Sequence, residues 1–207
     1  MKRTVLLLFC LTVLAGTGFA QQVGIKGGAT YSTFKGGDTD NYKYRLGYTG
    51  GLFLQRHIGS LVGVQVEALY TSKGALRETV VAGNLVEENV RLNYIDVPVL
   101  LHLSAGGLFV DLGPQVSFIS NAKYVVDAHS NSGDKTVTSR TDITDNPYTV
   151  DFAYVGSIGY RASNGIGLEV RYTGGLKNID DEGAYVRAER RNSSFSLMAS
   201  YLLSYSR

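Results

Sequence analysis

Between residues 91 and 119 the chain alternates apolar and polar side chains through two successive runs, with a glycine-containing break between them. In the first run Ile95, Val97, Val99, Leu101 and Leu103 share one face, and Tyr94, Asp96, Pro98 and His102 share the other. In the second, Leu108, Val110, Leu112, Val116 and Phe118 lie opposite Asp111, Gly113, Gln115 and Ser117. The break reads Ser104-Ala105-Gly106-Gly107. Successive side chains of a strand point to opposite faces, so a period of two on either side of such a turn predicts a β-hairpin. The pattern recurs at 45–73, breaking at 56–60, and at 150–178, breaking at 162–165. One strand precedes these hairpins at 23–34, and one follows through Phe195, Leu197, Ala199, Tyr201 and Leu203, which makes eight strands.

The connections alternate in length. Polar stretches at 35–41, 74–90, 120–149 and 179–190 separate the hairpins, whereas the breaks inside the hairpins are short. An up-and-down barrel of eight strands with both termini at one end has three connections at that end and four at the other. Outer-membrane barrels keep the first set short and the second long. The sequence therefore predicts an all-β fold, an eight-stranded antiparallel up-and-down transmembrane β-barrel. Gly47, Gly50 and Gly51 in the second strand suggest local curvature. Pro98 and Pro114 each remove a ladder donor, and the turn places them about opposite each other; they are expected to share one interrupted rung at a bulge.

Residues 1–20 stand apart from this pattern. Lys2 and Arg3 precede an apolar run, and Gly18-Phe19-Ala20 supplies small residues for cleavage, so 1–20 is expected to be a secretory signal peptide and 21–207 the barrel domain. The single cysteine, Cys10, would leave with the leader, which excludes disulfides, zinc–thiolate sites and cysteine nucleophiles from the mature chain. Losing Lys2 and Arg3 turns a balance of 20 basic and 18 acidic residues into 18 of each. A neutral chain has no general attraction for nucleic acid, which is not an expected partner. Beyond the leader no apolar run approaches the roughly 18 residues of a membrane helix. The 14 tyrosines and 25 glycines suit strands and turns rather than disorder.

Alternation alone does not say which face is wet, since a soluble lipocalin-like barrel has the same period with its apolar face inside. Two features favour the membrane. Glu67, Asp96, Asp111, Glu169 and Arg171 occupy mid-strand positions on the polar faces, where lipid would not accept them but a barrel interior would if they pair. Tyr70, Phe118, Phe152, Tyr160, Tyr172, Phe195 and Tyr201 fall near the ends of the apolar faces, as interfacial girdles do. With Gln115, those five charged residues form the candidate constellation. It is read foremost as a structural network filling the lumen, because an eight-stranded interior is about as wide as its own side chains. The competing reading is a proton or ion path, or a ligand-gripping site.

Other chemistry is thinner. His57, His102 and His129 share no ligand spacing, so neither a metal nor another cofactor is expected. An outer-membrane lipid-modifying enzyme would need an activated nucleophile beside a base. His102 is on a polar face, but nothing marks one serine as activated. Asp127, Asp134, Asp142, Asp145 and Asp180-Asp181-Glu182 fit no calcium-loop spacing and read as solvated loop charges. The expected role is non-enzymatic, with a lipid-modifying enzyme as the alternative and a narrow channel or small-ligand binder third.

Several segments carry a resemblance to a known family. Residues 92–101, LNYIDVPVLL, followed by Gly113-Pro114-Gln115, resemble the central signature of the PorT-like outer-membrane β-barrel proteins. Gly24-Ile25-Lys26-Gly27-Gly28, the stretch QVEALYTSKG at 65–74, and Gly167-Leu168-Glu169-Val170-Arg171-Tyr172 are also similar to its pattern. The resemblance implies an outer-membrane protein of a Gram-negative bacterium; the alternation of short and long connections is what puts both mature termini on the periplasmic side. It further implies outer-membrane lipid as its surroundings and a structural or export-associated role with secretion-machinery subunits as partners.

Overall fold

The computed structural model describes residues 21–203 apart from 38, 40, 82–83, 130–134, 143–149 and 179–189. The expected leader and most of the loop at 179–190 lie outside the described residues. Nine strands form: β1 (Gln21–Gly36), β2 (Tyr42–His57), β3 (Val62–Val81), β4 (Asn84–Ala105), β5 (Leu108–His129), β6 (Lys135–Asp142), β7 (Val150–Arg161), β8 (Ile166–Gly175) and β9 (Arg190–Leu202). Eight of them close a ring in the order β1-β2-β3-β4-β5-β7-β8-β9, with β9 returning to β1 from Gly24↔Leu202 to Gly36↔Arg190. Every pairing is antiparallel. This is the up-and-down barrel that the hairpin pattern predicts.

The ninth strand lies outside the ring. β5 pairs with β7 along Leu108–Phe118 and with β6 along Lys123–His129, so one long strand serves the barrel with one half and a projecting sheet with the other. The expected loop at 74–90 is likewise strand, since β3 and β4 stay paired out to Val81↔Asn84. Both corrections have one cause. Residues such as Glu78, Thr79, Glu87, Glu88 and Asn89 supply no apolar stripe, so hydrophobic periodicity is blind to a strand held by backbone pairing and by polar pairs such as Arg77–Glu88. β4 and β5 each run 22 residues against 10 for β8. A tilted strand crosses the hydrocarbon layer in about 9–11 residues, so these strands project roughly 30 Å beyond it.

The prolines correct a second expectation. Pro98 falls in a gap of the β3–β4 ladder, between Val66↔Val99 and Leu69↔Asp96. Pro114 falls in a different gap, in the β4–β5 ladder between Pro98↔Gln115 and Leu101↔Leu112. Neither gap shifts the register, so the two missing donors are absorbed on neighbouring ladders without a bulge. The bulges lie elsewhere, in β2 between Tyr44 and Thr49 and opposite Asn93/Tyr94. Gly51 earns its place by close approach, because a Cβ there would run into the Ala68 carbonyl of β3. The central turn uses Gly106 and Gly107 at φ 60° and 89°, a region other residues rarely adopt.

Burial decides which face meets lipid. Ile25, Leu52, Ile95, Val99, Leu101, Leu112, Ile158, Leu168, Val170 and Leu197 point outward, with Leu112 50 % and Leu197 60 % exposed. A soluble monomer rarely exposes more than a few hundred Å² of continuous apolar surface, and here apolar side chains encircle the ring. The inward side is polar, the inverse of a lipocalin. Tyr160 and Tyr201 mark the short-turn end, paired with Leu108 and Ile166. Toward the other end Tyr48–Tyr70, Tyr154–Tyr172 and Tyr172–Phe195 pack ring to ring at 6.2, 5.9 and 5.0 Å. Gln21, paired with Arg56, and Leu202 both sit at the short-turn end.

Candidate functional site

The inward side chains form three tiers. In the middle, Lys26 of β1, Gln65 and Glu67 of β3, and Glu169 and Arg171 of β8 meet on the barrel axis. β3 and β8 are four strands apart in a ring of eight, hence on opposite walls. Arg171 spans that distance: Nη1 and Nη2 donate to Glu67 Oε2 and Oε1, each at 2.7 Å, and Nε donates to Glu169 Oε1 at 2.8 Å. Lys26 Nζ lies 2.8 Å from both Glu67 Oε1 and Glu169 Oε2. Gln65 Nε2 adds a donor to Glu67 Oε1 at 2.6 Å. Two cations and two anions cancel, all nearly inaccessible to solvent. Such a cluster is tolerated only because each charge is both paired and hydrogen-bonded.

Above it, toward the long-loop end, Thr30 bonds Ser196 and Thr49 bonds Thr71. Lys73 pairs with Asp96 at 2.8 Å and lies 5.2 Å from the Tyr94 ring centre. Gln115 donates to Ser117, and Asn192 donates to Asp151 and to the Tyr94 hydroxyl. A void of about 10 Å³ remains between this tier and Arg171, room for about one water. Beyond it Phe34, Ala75, Leu92, Tyr94 and Ala122 form a buried apolar cluster.

At the short-turn end the floor is Phe53, Leu100 and Phe109, all buried. His102 donates from Nδ1 to Asp111 Oδ1 at 2.6 Å, and Ser157 donates to Asp111 Oδ2 at 3.3 Å. Beyond lies a cavity of about 560 Å³ ringed by the three short turns.

The six residues singled out from sequence are all buried inside the barrel, but they do not form one constellation. Glu67, Glu169 and Arg171 meet; Asp96, Asp111 and Gln115 belong to separate groups, with Lys73, His102 and Ser117 as partners. Lys26 and Lys73, the two lysines that complete the charge balance, were missed. Lys26 has the parity of a polar-face residue, between the outward Ile25 and Gly27, which was the available signal. Lys73 lies past the point where the apolar period of its strand fades. Among the described residues no group of three or more His, Cys, Asp or Glu converges in a metal-binding arrangement.

The model of the outer membrane protein beta-barrel domain family matches residues 19–181. A sequence comparison with curated proteins yields no match. Among solved structures the chain is similar to Ail, the attachment invasion locus protein of Yersinia pestis, in complex with the heparin analogue sucrose octasulfate. The identity is 12%, coverage is 89% of this chain and 100% of that one, and the TM-score is 0.49. Neisserial surface protein A (NspA) is 11% identical, with 88% and 98% covered and a TM-score of 0.48. The barrel domain of Pseudomonas aeruginosa OprF is 12% identical, with 88% and 100% covered and a TM-score of 0.35. With a closed antiparallel ring, an apolar outer face and the family match over most of its length, the chain belongs to the outer membrane protein beta-barrel domain family.

Proposed function

We propose that the protein is a non-enzymatic, non-conducting outer-membrane barrel with a structural or export-associated role, both mature termini facing the periplasm. The observation that carries this reading is the Arg171–Glu67 pair, which ties opposite walls together across the axis with two 2.7 Å hydrogen bonds. A lumen crossed this way, with Phe34, Leu92 and Tyr94 buried together beyond the crossing, supports a filled interior rather than an ion path. The orientation rests on the short turns, which in outer-membrane barrels face the periplasm. What remains to act on a partner is the projecting sheet of β3–β6, and the PorT-like resemblance points to secretion-machinery subunits.

The alternative of a lipid-modifying enzyme fits the geometry less well. Ser157 donates to Asp111, the carboxylate, and not to His102, the group that would have to take its proton. The test is in vivo cross-linking from photoreactive residues at Thr79 and Glu87, followed by mild-detergent purification. Secretion-machinery subunits attached at those positions support the export role. Adducts absent from both positions, with the barrel recovered alone, remove it.

A further inference from the structure

The cavity at the short-turn end plays no part in closing the lumen, yet its walls are built to hold particular proton positions. Gly63 of β3 is paired with His57 of β2 on one side and with His102 of β4 on the other. With no side chain between them, the two imidazoles face each other at 5.8 Å, nearly perpendicular. Arg161 lies over the Phe53 and Phe109 rings, at 5.6 and 5.2 Å, and its Nη1 donates to Gln55 Oε1 at 2.8 Å. That bond fixes the Gln55 amide, turning its Nε2 toward His57 Nε2 at 2.9 Å. An amide nitrogen only donates, so His57 Nε2 accepts and Nδ1 carries the proton. Beside it Asp111 accepts from His102 Nδ1 and so holds the proton of that ring on Nδ1.

Arg161, His57 and His102 line the cavity, and among the described residues no carboxylate does; Asp111 is fully buried behind His102. Phe109, Tyr160 and Leu202 give the cup an apolar wall, and its volume of about 560 Å³ is in the range of small-molecule sites. A cation is disfavoured there by Arg161, whereas a planar or tetrahedral oxyanion suits a guanidinium and an imidazole N–H. We propose that this cup is a binding site for an oxyanion, a phosphate or carboxylate group on a small amphipathic molecule, received between Arg161 and His57. Gln55 is a positioning residue, transmitting the orientation of Arg161 to the tautomer of His57.

The test uses the full mature barrel refolded in uncharged detergent, followed through its histidine ring signals by NMR at fixed pH. The chain has three histidines, and His129 lies at the far end of β5, which makes it an internal reference. Inorganic phosphate, butyrate and a soluble short-chain phosphatidylglycerol are titrated separately, with chloride holding the ionic strength. The expected result is a saturable shift of His57 and His102 with His129 unmoved, weakened at least about tenfold in Arg161→Gln. Tightest binding of phosphatidylglycerol would mark a lipid headgroup as the natural source and of butyrate an amphipathic carboxylate; inorganic phosphate binding tighter than both would overturn the amphipathic ligand. Shifts that do not saturate with any of the three, or that move all three histidines alike, overturn the proposal. If Arg161→Gln does not refold, the wild-type titration decides by itself.

Discussion

Replacing Arg171 by Met tests the reasoning behind the middle tier most sharply. The side chain is close to isosteric along its stem but removes three donors, two to Glu67 and one to Glu169. Lys26 is then left to neutralise two carboxylates, and the buried cluster carries a net charge of one negative unit. Breaking a buried pair by removing one partner costs about 3–5 kcal/mol, mostly the uncompensated charge rather than the lost attraction. A compensating change follows from the same argument. In Glu169→Gln/Arg171→Met the cluster holds Lys26 against Glu67 and is neutral again, so the double variant is expected to recover at least about 1 kcal/mol of the loss. The chain has no tryptophan, so unfolding in urea from lipid vesicles is followed by circular dichroism and by the gel mobility of unheated samples. An Arg171→Met variant within about 1 kcal/mol of wild type would refute a structural role for the cluster. A double variant less stable than the single one would refute the charge argument.

Two further outcomes follow from the fold. Leu112→Arg puts a cation on the outward face of β5, between Phe118 and the Tyr160 that pairs with Leu108, and is expected to cost about 2–4 kcal/mol in vesicle unfolding; a neutral result would place that face out of the lipid. Replacing residues 76–89 by a short turn removes the paired extension of β3 and β4 but none of the middle tier, so the heat-dependent gel shift of the barrel is expected to persist. Loss of that shift would show that the projecting sheet is needed for the ring to close.

The parts of this fold that were legible in the sequence are those governed by contact with lipid. Leu108, Val110, Leu112, Val116 and Phe118 alternate strictly because one face of β5 meets hydrocarbon, and the same pressure exposes the eight barrel strands and their short turns. Beyond the lipid that pressure ends. Residues 78–81, 84–89 and 135–142 place polar side chains on both faces with no alternating apolar stripe, and the backbone pairing that makes them strands is not announced by hydrophobic period. The interior was legible by parity but not by partnership. Glu67 and Arg171 are 104 residues apart, and only the closure of eight strands places them on facing walls. The prolines show the same limit: that each empties ladder rungs follows from composition, but which neighbour loses the donor depends on the direction its nitrogen faces.

The central claim is that a cross-barrel ion-pair cluster closes the lumen. Single-channel recording of the refolded barrel in planar lipid bilayers tests it most directly. The account predicts insertion without unitary conductance steps for the wild type. Steady open-pore steps from wild-type protein, under conditions where gel mobility shows it folded, would contradict the closed lumen and the proposed non-conducting role together.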